Sequence, residues 1–221
     1  MSVRWPENLS GAKGVQAELS KAVKIRKLIA PPKTIAAADA IFYKDYTISA
    51  VVVMEYPSLR VIEEASHTVK TTLPYIPGYL SFREGPAIVA AFEKLGHKPD
   101  VILFDGQGIA HPRGLGIASH LGVVLGIPSI GCAKSRLVGS YEMPDENKGS
   151  WSPLILEGKT VGAVLRTRTG VKPLFVSPGH LITLKEAIEI VLKCSRYRIP
   201  EPIRLADRLT RKLKASHSCT S

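Results

Sequence analysis

An α/β fold, built on a mixed sheet with helices on both faces, is predicted from three observations. Three strand-like stretches follow one another between residues 34 and 70. Helix and strand patterns then alternate from residue 81 to residue 132. Directly behind the apolar run Val101-Ile102-Leu103-Phe104 stands DGQGIAHPRGLGIASH, residues 105–120, with an acid, two histidines, an arginine and four glycines. A packed core has no use for that composition. It suits a backbone that must come close to a ligand with a charge beside it.

The elements follow in order. VQAELSKAVKIRKLI (15–29) has helical apolar spacing and is expected to form an amphipathic helix stopped by Pro31-Pro32. TIAAADAIF (34–42), YTISAVVVMEY (46–56) and LRVIEEASHTVK (59–70) are strand-like. The turn-like YKD separates the first two and Pro57-Ser58 the last two, which predicts an antiparallel meander. After the Pro- and Gly-rich TTLPYIPGY, a helix is expected from Ser81 to Leu95, with Ser81 and Glu84 at capping-box spacing. VILFD (101–105) is a short buried strand, GIASHLGVVLG (116–126) a glycine-rich helix and IPSIGC (127–132) another strand. TVGAVLRTR (160–168) and KPLFVSPG (172–179) form a strand pair through Thr169-Gly170. Thr183 caps LKEAIEIVLKC with Glu186 three residues on, and the basic helix IRLADRLTRKLK precedes a frayed SHSCTS. The expected domain is single, residues 1–221, with about 1–14 and 213–221 peripheral.

Thirty Lys and Arg against nineteen Asp and Glu leave a net charge of +11, which points to a polyanion partner such as nucleic acid. Three scattered cysteines are too few for a disulfide framework or a zinc site. With no apolar leader and no membrane-length apolar run, a cytoplasmic, membrane-free monomer is expected.

Asp39 interrupts an apolar strand and Asp105 ends one. Such acids are costly unless paired, hydrogen-bonded or bound to a cation, although a strand-end Asp often only caps a turn. Glu84 has a structural job available in its capping box. If the strands of Asp39 and Asp105 are neighbours, the three acids can converge on one hard divalent cation. Magnesium suits that arrangement, with manganese a possible substitute, and metal-assisted phosphodiester hydrolysis is the reaction class to test. His111, in a loop that Pro112 helps to fix, either orients water or the leaving oxygen, or bonds a loop carbonyl. Lys134 follows a strand and is either a phosphate contact or an ordinary loop lysine. His120, among apolar residues, is structural, and His180 has no assignable role. In PYIPG, Pro74 and Pro77 stiffen a loop that presents Tyr75 and Ile76. That shape prises stacked bases apart, or else braces a loop over the sheet.

PYIPGYLSFRE, DGQGIAHPRGLGIASHLG and IGCAKSRL, with IAAAD upstream and KPLFVSPGH and RIPEPIRLA downstream, closely resemble the endonuclease V family from about residue 15 to 212. The resemblance implies an RNase H-like fold and a DNA repair nuclease for deaminated bases, chiefly deoxyinosine. It implies hydrolysis of the second phosphodiester on the 3′ side of the lesion, leaving 3′-hydroxyl and 5′-phosphate ends. By the same likeness Asp39 and Asp105 hold metal and Glu84 is the third active-site acid. His111 and Lys134 stand near the scissile phosphate, and Pro74, Tyr75, Ile76 and Pro77 form a strand-separating wedge. Gly78, Leu80, Gly106, Gly108 and Ile117 line the base pocket. Three other readings stand beside it: an endoribonuclease for inosine in RNA, a non-catalytic nucleic-acid-binding protein, and a base-excising glycosylase, which would need no metal and leave an abasic site.

Overall fold

The computed structural model describes residues 5–6 and 8–219. Its strands are β1 (Thr34–Tyr43), β2 (Tyr46–Glu55), β3 (Val61–Lys70), β4 (Val101–Phe104), β5 (Ser129–Ala133), β6 (Trp151–Leu156), β7 (Lys159–Leu165) and β8 (Leu174–His180). The helices are α1 (Leu9–Ala22), α2 (Leu80–Phe92), α3 (Ile117–Leu125), α4 (Leu184–Lys193) and α5 (Glu201–Cys219). All eight strands share one sheet in the order β3-β2-β1-β4-β5-β8-β7-β6, parallel only at β1-β4 and β4-β5.

Strand periodicity sorts the core. Ala36 and Ala38 of β1, with Ile102 and Phe104 of β4, pack under α2 and α3. Ile35 and Ala37, with Val101 and Leu103, face α4 and α5 on the other side. The expected mixed sheet covered on both faces is what the chain forms. The first three strands make the predicted meander, turned at Lys44-Asp45 with Lys44 at φ 51°. Thr183 and Glu186 form the predicted capping box.

Three expectations change. The first helix starts at Leu9 because the Asn8 side chain accepts a hydrogen bond from the Gly11 N–H, and it ends at Ala22. Residues 23–28 spend their backbone groups elsewhere. Lys24 N–H donates to His180 Nδ1 at 3.1 Å, and Leu28 N–H donates to Glu186 Oε1 at 3.0 Å. His180 thus anchors a strap across the β8–α4 junction. Ahead of residue 15, Ala12 is buried and the Trp5 ring lies 5.4 Å from His120. Finally, β6 pairs with β7 through a tight turn at Glu157-Gly158, where both residues have positive φ. The α5 helix continues to Cys219, through most of the segment expected to fray; Thr220 and Ser221 lie outside the described residues.

Candidate active site

Because β1 and β4 are parallel neighbours with Ala38 opposite Phe104, Asp39 and Asp105 follow side by side at the C-terminal end of β4. Ligands of open α/β sheets bind at such strand ends. Asp39 shares the face of Ile35 and Ala37, so it meets α5, where the Thr210 hydroxyl donates to Asp39 Oδ2 at 2.6 Å. Asp105 pairs with the Lys134 ammonium, which extends from the end of β5.

Glu84 has no capping role. The α2 helix starts at Leu80, no side chain caps it, and Ser81 turns to His120 Nδ1 at 2.8 Å. Glu84 is left half-buried, within electrostatic reach of Asp39 and Asp105. Burial first, then those two carboxylates, push Glu84 up to about 8. Burial likewise raises Asp39 to about 6, with Asp207 and Asp105 adding to the rise and the Thr210 hydrogen bond opposing it. The carboxylates are a set of hard oxygen donors suited to a divalent cation, and charge repulsion among them raises the proton affinity of Asp39 and Glu84. As the side chains stand, no group of three His, Cys, Asp or Glu among the described residues forms a closed ligand set. Lys134 and Thr210 occupy the Asp105 and Asp39 carboxylates instead.

Beside the acids lies a cleft of about 340 Å³, at the small end of ligand-binding clefts. Tyr75, Gly78, Leu80, Gly106 and Ile117 line it, together with Asp105, His111 and Lys134. Tyr75 is 61% exposed at its rim, with Pro74 and Pro77 also exposed. Gly106 lines the cleft directly against Ile117, where a Cβ would stand 2.6 Å from Ile117 Cγ2. Gly108 does not line it. Its missing side chain lets the loop pass β8, where a Cβ would meet the Pro178 carbonyl oxygen at 2.1 Å. Of the two sequence-predicted pocket glycines in DGQG, only the first faces the cleft.

His111 is buried, and burial together with Arg113 holds it down at about 4. Its Nδ1 accepts the Arg113 N–H at 3.2 Å and the ring also bonds the Gly78 backbone. Both nitrogens have partners as the side chains stand, which braces the loop. His120 is buried and held at about 4 by burial, in the structural role expected. Sequence reasoning missed Asp207 and Thr210, which α5 brings to Asp39, and Gln16, which α1 brings to the loop around Gly78. An acid and a threonine on an amphipathic helix give no signal of their own.

The mixed sheet and its strand-end acids define an RNase H-like α/β protein. The Endonuclease V family model matches residues 17–208. Endonuclease V of Trichormus variabilis is 53% identical over 209 residues, covering 93% of this chain and 95% of that protein. The crystal structure of Endonuclease V from Streptomyces avermitilis superposes with a TM-score of 0.91 at 40% identity, over 98% of this chain and 96% of that one. Ciona intestinalis Endonuclease V, solved with a 24mer DNA containing an inosine followed by a ribo-adenosine, gives 0.84 at 29% identity, over 96% and 99%. The chain belongs to the Endonuclease V family, a family of nucleases.

Proposed function

We propose that this chain is a divalent-metal-dependent endonuclease that recognises deaminated bases in DNA, chiefly deoxyinosine. It hydrolyses the second phosphodiester on the 3′ side of the lesion and leaves 3′-hydroxyl and 5′-phosphate ends. One observation carries the reading: a single loop, starting at Asp105, supplies both a carboxylate of the acid cluster and the glycine wall of the adjoining cleft. Base recognition and bond cleavage are thereby a fixed distance apart.

Asp39, Asp105 and Glu84, with Asp207 close by, would hold the cation. Bound there, a divalent ion lowers the pKa of water and neutralises charge building on the phosphate. The chain's own groups do the rest. Tyr75, held out between Pro74 and Pro77, enters the base stack, and the weakly paired lesion swings into the cleft. The bare backbone at Gly78 and Gly106 leaves room for a hypoxanthine to come close, while Leu80 and Ile117 close the walls against a 2-amino group. Lys134 leaves Asp105 for a phosphate oxygen as substrate and cation arrive.

Asp105→Asn tests the assignment. Cleavage of inosine DNA falls by about 10³-fold or more while binding in EDTA survives. Loss of binding and cleavage together makes Asp105 structural. A second reading, inosine in RNA, is favoured by the ribonucleotide beside inosine in the Ciona complex.

A further inference from the structure

The Gly78 carbonyl, at the mouth of the cleft, is a meeting point. Gln16 Nε2 donates to it at 3.0 Å and Arg113 Nη2 at 3.1 Å, and the His111 ring bonds the same residue. Gln16 also bonds the glycine loop twice: its Nε2 reaches the Leu115 carbonyl at 3.4 Å and its Oε1 accepts from Arg113 Nε, so α1, the Gly78 segment and the glycine loop meet at one side chain. It is fully buried at 0% exposure, on the α1 face that also buries Ala12 against Leu73, Tyr79 and Phe82. Those three residues flank the Pro74–Pro77 segment on both sides. Gly78 itself sits at φ +81°, and a Cβ there would lie 2.7 Å from Arg113 Nη2, so the hub closes only around glycine. A buried amide that satisfies both its ends across three separate segments fixes their relative placement, because any shift strands a buried polar group.

We infer that Gln16 is a positioning residue, through which α1 holds the Tyr75 loop at a set height over the glycine loop so that the base stack opens into the cleft. The inference rests on the reading of residues 74–77 as a wedge. The hydrogen-bond partners of Asp39 and Asp105 come from α5 and the end of β5, not from α1, so Gln16 governs base opening and leaves the hydrolytic groups intact. The exposed tip alone would be a loose aromatic on a loop; the three-way tie beneath it makes it a lever.

The test uses a duplex carrying one inosine beside 2-aminopurine, whose fluorescence rises on unstacking, with full-length protein in EDTA. Wild type brightens the duplex on binding and Tyr75→Ala does not. Gln16→Met, of similar volume but without the hydrogen bonds, binds a single-stranded inosine oligonucleotide as wild type does. On the duplex it brightens weakly and binds about tenfold less tightly. Full brightening by Gln16→Met, while Tyr75→Ala stays dark, overturns the role of Gln16 alone. Full brightening by Tyr75→Ala overturns the wedge itself and the inference with it. If Gln16→Met does not fold, Gln16→Glu keeps the acceptor for Arg113 and loses the donor to Gly78. Weak brightening by that variant supports the inference, and wild-type brightening overturns it.

Discussion

Glu84 ionises near 4.5 in the unfolded chain and near 8 in the folded one, because burial and the Asp39 and Asp105 charges oppose its ionisation. Between those values the folded state binds the extra proton, so its contribution to stability is full below about 4.5 and is lost as pH rises through 8. Glu84→Gln removes that slope. In EDTA at about pH 9 the variant is more stable than wild type by about 1–2 kcal/mol, and the two converge at about pH 4. Thermal melts across this range check it, and a variant that melts below wild type at alkaline pH contradicts it. The same crowding accounts for what a reader of the sequence can see. Asp39 and Asp105 announce themselves because an acid inside or at the end of an apolar strand needs a partner. Glu84 hides behind a Ser-x-x-Glu spacing whose serine is spoken for by His120.

Elements matter here for what they deliver to the acids. The α5 helix crosses the β1 face that carries Asp39, and its Thr210 hydroxyl bridges the Asp39 carboxylate and the Asp207 carbonyl. Thr210→Val keeps the shape and loses both hydrogen bonds. The expected result is a fall in cleavage of about 10–100-fold with a higher divalent-ion requirement, and recovery in Thr210→Ser. Metal titrations of the three proteins check it; equal half-saturation in all three contradicts it. This contact joins residues 171 positions apart, which no local pattern reveals. The legible elements were those whose own residues decide them: the β1–β3 meander by its apolar runs, and α4 by its Thr183 cap. The first helix ends earlier than its pattern suggests because Val23, Ile25 and Leu28 continue a helical spacing while the Lys24 and Leu28 N–H groups donate to His180 and Glu186. The β6 strand was passed over because its outer residues are polar or exposed, and only Glu157-Gly158 marks its turn.

Across the whole molecule the net charge of +11 outweighs the local acids, which is the balance the proposed nucleic-acid substrate calls for. Binding of inosine DNA in EDTA weakens by at least ~100-fold between ~50 and ~200 mM salt, as measured by fluorescence anisotropy; a flat response contradicts a phosphate-dominated interface. The fold sets the working distance. Asp105 ends the central β4, the cleft opens directly beside it, and α1 and α5 brace the two from opposite sides of the sheet. On the proposed function that geometry is a ruler from base to bond, and it is tested most directly by sizing the products of end-labelled oligonucleotides carrying one inosine, as DNA and as RNA, with magnesium or EDTA. The account predicts a magnesium-dependent nick at the second phosphodiester on the 3′ side of inosine, with the better-cut polymer naming the substrate. Tight binding without a nick under any condition, or an abasic site in place of a nick, contradicts it.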